Sequence, residues 1–176
     1  GAGGTVSRLE KLRAIQATAR DAAINVHMDG ARLWNAHIAT GTPLRDFAAT
    51  ASTVMVSFSK GLGAPVGSLV AGSARFIEGC WVHRKRLGGG MRQSGILAAA
   101  GLYALDHHVE RLEEDHRNAR LLAERLANVP GVRVDLEATQ SNIIVFDVAG
   151  TGRTPAELAE RAAARGVKIV PFGATT

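Results

Sequence analysis

Ile24-Asn25-Val26-His27-Met28 and Thr53-Val54-Met55-Val56-Ser57-Phe58 decide the fold of this chain. Each is a short apolar or β-branched run bounded by turn residues, the pattern of a strand. Between them lie helical patterns from Ala31 to about Ala39 and from Pro43 to Ala49. The result is a β–α–β unit, and a crossover of that kind requires its two strands to run parallel. A third strand is predicted at Ser68-Leu69-Val70-Ala71-Gly72. The turn before it, Gly61-Leu62-Gly63-Ala64-Pro65-Val66-Gly67, is too short for another crossover, so this strand should run antiparallel to its predecessor.

Working outward, Leu9, Leu12, Ile15 and Ala19 recur at helical spacing, which predicts an amphipathic helix from Leu9 to Ala23 feeding the first strand. Ala74 to Lys85 reads as a helix broken by Gly88-Gly89-Gly90. Gln93 to about Asn128 carries the apolar period of one extended helix, ended by Pro130-Gly131. Beyond it, Val132-Arg133-Val134, Asn142 to Val148 and Lys168 to Phe172 read as strands, with a helix from Thr154 to Arg165 between the last two. Thr154-Pro155 with Glu157 three residues on is a capping-box start. The expected class is therefore α/β, a mainly parallel sheet with one antiparallel strand, then a long helix and the start of a smaller α/β domain. The expected division is 1–128 and 129–176.

The chain has 176 residues, 46% of them apolar and 21% charged, enough for a real core and far from a disordered composition. Its single cysteine, Cys80, forms no intrachain disulfide, which points to a reducing compartment, and a cytoplasmic location is expected. No run of residues is long and apolar enough for a membrane span. The formal charge of +5 invites a polyanionic partner, but the basic residues are spread out and aromatics are 5%, so a nucleic-acid surface is not expected. The one tight cluster, Arg84-Lys85-Arg86, suits a smaller phosphate-bearing ligand equally well, or simply a solvated helix end.

Asp29 follows the first strand and Lys60 the second, so parallel pairing brings both to the carboxyl edge of the sheet, where open α/β folds bind ligands. Lys60 is one of four lysines, placed between an apolar strand and a run of small residues. An amine there is expected to lose hydration and become the weaker base that Schiff-base chemistry needs. An acid opposite it could keep a pyridinium nitrogen protonated. By itself the pattern fits a loop cap and a surface ion pair as well. His27 shares a strand face with Asp29 and reads as a structural or supporting histidine. His37, His83, His107, His108 and His116 show no metal-ligand spacing, so no metal is expected, and Trp34 and Trp81 read as packing residues. The glycines around Lys60 match neither a phosphate-binding loop nor a dinucleotide fingerprint.

Three motifs settle between those readings. His27-Met28-Asp29-Gly30-Ala31-Arg32-Leu33-Trp34-Asn35-Ala36, Val56-Ser57-Phe58-Ser59-Lys60-Gly61-Leu62-Gly63-Ala64-Pro65-Val66-Gly67-Ser68 and Gly88-Gly89-Gly90-Met91-Arg92-Gln93-Ser94-Gly95 closely resemble the threonine aldolases. These belong to the aspartate-aminotransferase-like superfamily of pyridoxal phosphate enzymes. The resemblance implies that Lys60 is the lysine bonded to the cofactor, Asp29 its pyridinium partner and Arg32 a binder of the substrate carboxylate. It implies that Lys85 and Arg92 approach the cofactor phosphate from a neighbouring subunit. Arginine suits a phosphate because it can bind it through two parallel hydrogen bonds.

The resemblance further implies a lyase of threonine catabolism and glycine biosynthesis that cleaves threonine or allo-threonine to glycine and acetaldehyde, as a homodimer or homotetramer. Family members are about twice as long, and Gly1 to Val6 resembles a point inside their large domain. The chain is thus expected to be a fragment that is inactive alone. A different pyridoxal phosphate activity on the same scaffold, β-elimination or transamination, and a truncated non-catalytic subunit are the alternatives.

Overall fold

The computed structural model describes residues 3–176. They form two compact units, Ser7–Glu113 and Glu114–Thr176, the latter joined by the N-terminal residues up to Val6.

In the unit Ser7–Glu113, helix α1 (Leu9–Asp21) leads to strand β1 (His27–Gly30). Helices α2 (Leu33–Thr40) and α3 (Leu44–Ala48) cross to β2 (Thr53–Ser57), and β3 (Ser68–Ala71) follows. The sheet order is β1-β2-β3. β1 and β2 are parallel, with Asp29 opposite Met55 and Gly30 opposite Val56. β3 runs antiparallel to β2, with Ser68 opposite Ser57. Both orientations agree with those expected from connection length.

The first strand begins three residues later than its apolar run predicts. After α1 the chain wraps back, with Ala23 at a φ of +56° and the Ile24 N–H bonded to Ala19 O at 2.8 Å. Ile24 therefore belongs to the helix terminus, and the ladder starts only at His27.

Helix α4 (Ala74–Arg86) opens at Ser73, whose hydroxyl accepts the Phe76 N–H, and closes in a tight turn through Gly88 and Gly89. The expected single helix from 93 to 128 is two: α5 (Gly95–His107) and α6 (Leu112–Ala127). The physical reason lies at the break. Turn bonds from Leu112 N–H to Val109 O and from Glu113 N–H to Glu110 O reset the helix axis, and Leu112 enters the core fully buried. There it joins Leu62, Ala64 and Ala104, with Trp34, Ile38, Phe58, Leu105 and Val109 packed around them.

In the other unit, β4 (Arg133–Val134) pairs antiparallel with β5 (Phe146–Asp147); β4 lacks only Val132 of its predicted run, whereas β5 is far shorter than the run from Asn142 to Val148. The predicted strand Lys168 to Phe172 is irregular chain. A strand exists only where a neighbour supplies ladder bonds, and this segment lacks one: Val170 is 86% and Phe172 71% exposed. Helix α7 (Pro155–Ala163) has the capping box that the sequence announces. Thr154 N–H donates to Glu157 Oε2 at 2.8 Å, and Glu157 N–H to Thr154 Oγ1 at 3.2 Å. No helix among the described residues is long and apolar enough to cross a membrane.

The Asp147 carboxylate accepts the Ala149 N–H at 2.9 Å and the Thr175 hydroxyl at 2.8 Å, with Arg133 at 3.4 Å. These donors, the Ala149 N–H foremost, hold it below the ordinary carboxylate range. A carboxyl depressed by folding stabilises the native state above its unfolded pKa of about 4, and that contribution fades as pH falls through the folded value. Asp147→Asn is therefore expected to shrink the drop in urea midpoint between pH 6 and pH 3, a difference read by chemical denaturation at the two pH values.

Candidate active site

The carboxyl edge of the β1–β2 pair carries the chemistry. Asp29 is the third residue of β1, and its Oδ1 accepts the Ala31 N–H at 3.1 Å, an Asx turn that lifts the chain off the sheet. Arg32 then stands at the N-cap of α2 with non-helical backbone angles. Trp34, the second residue of the helix, donates its indole N–H to Ser57 O at 3.0 Å. That bond clips the segment following Asp29 to the last residue of β2, just ahead of Lys60.

Lys60 leads a turn closed by the Gly63 N–H on Lys60 O at 2.9 Å. Two further bonds fold the loop onto itself: Ala64 N–H to Phe58 O and Phe58 N–H to Gly67 O, both at 3.0 Å. Gly63 adopts a φ of +69° and Gly67 one of +127°, conformations in which a side chain is strained. Gly61 is required for a different reason. A Cβ there would lie 2.9 Å from Leu112 Cδ2 and 3.1 Å from Asn35 Oδ1, and both of those residues are buried.

Asp29, Arg32 and Lys60 are thus brought to one edge. Among the described residues no ion pair joins Asp29 to Lys60, so the surface-ion-pair reading is not what forms, although Asp29 does cap its own turn. The expected dehydration of Lys60 is not met within this chain. Both groups are exposed, because the loop buries Leu62 and Ala64 beneath Lys60 and sets nothing over it. None of the three main clefts is lined by Asp29, Arg32 or Lys60. The largest of them, about 1070 Å³ between β3, α4 and α5, touches the loop at Phe58, Val66 and Gly67.

Lys85 lies in the last turn of α4 and Arg92 just past the glycines, both exposed. The glycine run is a shaped turn. The Gly89 N–H bonds Arg84 O at 2.8 Å, the Arg84 Nε–H bonds Gly89 O at 2.8 Å, and Lys85 packs so closely that a Cβ on Gly90 would meet its Cδ at 2.9 Å. His27 is a structural partner, its Nδ1 2.8 Å from the Thr53 hydroxyl. Trp34 packs on the core as expected. Trp81 does not: it is 62% exposed, with the Arg84 guanidinium 5.0 Å from its ring centre, because the rest of its surroundings are solvent.

This is an α/β domain with an amine, a carboxylate and a guanidinium at the carboxyl edge of a parallel strand pair, where open α/β folds bind ligands. Residues 1–149 match the beta-eliminating lyase family, and the chain belongs to it. It is 44% identical over 155 residues to low-specificity L-threonine aldolase 1 of Arabidopsis thaliana, covering 88% of this chain and 43% of that protein. It is 46% identical over 123 residues to the low specificity L-threonine aldolase of Escherichia coli K12, covering 70% and 37%. A Listeria monocytogenes protein provisionally assigned as an L-allo-threonine aldolase superposes with a TM-score of 0.79 at 26% identity, over 97% of this chain and 48% of that one. The chain spans less than half the length of the relatives it matches.

Sequence reasoning missed Trp34, Asn35 and His108 as residues that shape the site. Trp34 stands inside one of the three motifs and reads only as packing, and Asn35 stands in the same motif with no role assigned. His108 is 48 positions from Lys60, and only the broken helix reveals it. Gly61→Ala is expected to destabilise the protein by about 1–3 kcal/mol, the usual range for overpacking a tight site. An unfolding midpoint equal to that of the unsubstituted protein would contradict the close approach at Leu112.

Proposed function

We propose that the protein carrying this chain cleaves threonine and allo-threonine to glycine and acetaldehyde with pyridoxal phosphate as its coenzyme. The observation that supports this most is the placement of Lys60 and Asp29 at the ends of adjacent parallel strands, within motifs shared with proteins named threonine aldolases. A primary amine, a carboxylate and a guanidinium on one edge are the donor set that an aldehyde coenzyme with a pyridine ring and an amino-acid substrate would use.

Each residue then has a task. Lys60 would hold the coenzyme aldehyde through its Nζ. Asp29, whose Oδ1 accepts the Ala31 N–H, would keep the ring nitrogen protonated. Arg32 pairs with the substrate carboxylate and so orients the bond to be broken, which is a contribution of positioning. Lys85 and Arg92 would offset the charge of the phosphate, and a guanidinium suits that anion because it can donate two parallel hydrogen bonds. When bound, pyridoxal phosphate supplies an electron sink for the pair released at Cα. Over the reaction the β-hydroxyl loses its proton, the Cα–Cβ bond breaks and Cα gains a proton. In this reading residues 1–128 belong to a large cofactor-binding domain and 129–176 to a small one, in a cytoplasmic homo-oligomer.

Borohydride reduction of the protein with its coenzyme, followed by peptide mapping, is expected to place the label on Lys60, and Lys60→Ala to remove both label and glycine formation. A label on another lysine would refute the assignment. Ammonia and a keto acid in place of glycine would indicate β-elimination instead.

The 176 residues expressed alone are expected to release no glycine from threonine. The support is physical: Asp29 and Lys60 are uncovered here, and β1 and β3 each pair on one side only. Turnover by the purified 176-residue chain would overturn this expectation.

A further inference from the structure

We propose that His108 is a positioning residue that holds the Lys60 turn in register through one hydrogen bond to its backbone. The inference rests on the assignment of Lys60 as the amine that attaches the coenzyme. His108 Nδ1 lies 2.6 Å from the carbonyl oxygen of Leu62. A carbonyl only accepts, so the proton of this bond must sit on Nδ1, and the bond itself fixes the state of that nitrogen.

The geometry around this bond shows what it controls. Leu62 is the third residue of the turn that Lys60 begins and Gly63 closes. Tips of tight turns normally face water, yet the Leu62 side chain is fully buried against Ala64, Ala104 and Leu112. With the side chain locked in the core, the peptide joining Leu62 to Gly63 is tied at its N–H by Lys60 O at 2.9 Å, and the glycine lets that plane turn only if the bond is lost. Gly63 has a φ of +69°, and a Cβ placed there would meet only His108 Nδ1, at 3.8 Å. The hydrogen bond to His108 ties the carbonyl of the same peptide, so the plane is held at both of its polar groups.

The ring is in turn well placed. His108 caps α5, with its N–H on Ala104 O at 2.9 Å, and Tyr103 meets it edge-on at 5.5 Å between centroids. The break between α5 and α6 thus has a use: it puts an imidazole at a helix end against the turn, where a continuous helix would have carried the chain past. A flipped Leu62–Gly63 peptide would change ψ of Leu62 and φ of Gly63 and break the Gly63 N–H bond to Lys60 O, releasing the Lys60 backbone, and small misplacements of a reacting amine lower turnover strongly.

The test uses the holoenzyme of the protein that carries this chain. His108→Phe keeps a ring and loses the donor, whereas His108→Asn keeps an N–H close to the position of Nδ1. The Phe variant is expected to slow borohydride trapping at Lys60 and to lower kcat, each about tenfold or more. KM should stay within about twofold, and the Asn variant should recover most of both losses. Wild-type trapping rate and kcat in the Phe variant would overturn the proposal, as would equal impairment of Phe and Asn, which would mean that ring volume matters and the donor does not.

If the Phe variant does not fold, His108→Gln replaces it, since its amide reaches the Nε2 position rather than Nδ1. Impairment of Gln with recovery in Asn sustains the proposal, and parity of the two sinks it. Absence of label from Lys60 in the wild-type holoenzyme would instead remove the Lys60 assignment, before any variant is compared.

Discussion

Two parallel strands end side by side, and everything at this site follows from that pairing. With Asp29 opposite Met55 in β1 and β2, the chain leaves the sheet at one edge twice, first into the Asx turn before α2 and then into the turn of Lys60. Had the two strands been joined by a hairpin, their carboxyl ends would lie at opposite edges, with the amine and the acid separated by the length of the sheet. The crossover through α2 and α3 is thus as much a part of the site as the reacting side chains, and the Trp34 bond to Ser57 O ties the crossover back to the strand end it serves.

The turn after β2 is held from below. Leu62 and Ala64 anchor it in the core, Gly61 lets it approach Leu112 and Asn35 more closely than any side chain would allow, and backbone bonds among Phe58, Lys60, Gly63, Ala64 and Gly67 close it. This is an unusual inversion of a surface loop, with the apolar residue down and the lysine up. It combines two demands that ordinarily conflict. The backbone under the lysine is rigid, while the amine itself stays where a small molecule can reach it.

Much of this was legible in the residues. The β–α–β unit, both strand orientations, the capping box at Thr154 and the arrival of Asp29 and Lys60 at the same sheet edge follow from short-range pattern and connection length, which are local physical signals. What escaped was non-local. The apolar period from Gln93 to Asn128 is helical throughout, and nothing in it records that His108 and Leu112 have partners at Leu62 and Ala64. The tertiary gain of burying Leu112 overrides helix continuity there. The strand pattern of Lys168 to Phe172 fails for the complementary reason: propensity was present, and no neighbouring ladder received it. The expected dehydration of Lys60 failed similarly, since burial depends on what lies above a residue, and the flanking strand and glycines describe only what lies beneath.

The same asymmetry runs through the whole unit Ser7–Glu113. Its buried residues gather under the Lys60 turn and along the sheet, whereas α4 buries none of its side chains and all four residues of β3 are exposed. Local free energy is therefore concentrated where it fixes the backbone of the site. Openings of marginal elements such as β3 and α4 would leave the clamp of Leu62, Leu112 and His108 largely intact, because stability is apportioned by burial and these elements share little of it. The placement of the amine depends on a handful of tightly packed residues and not on the integrity of every helix around it.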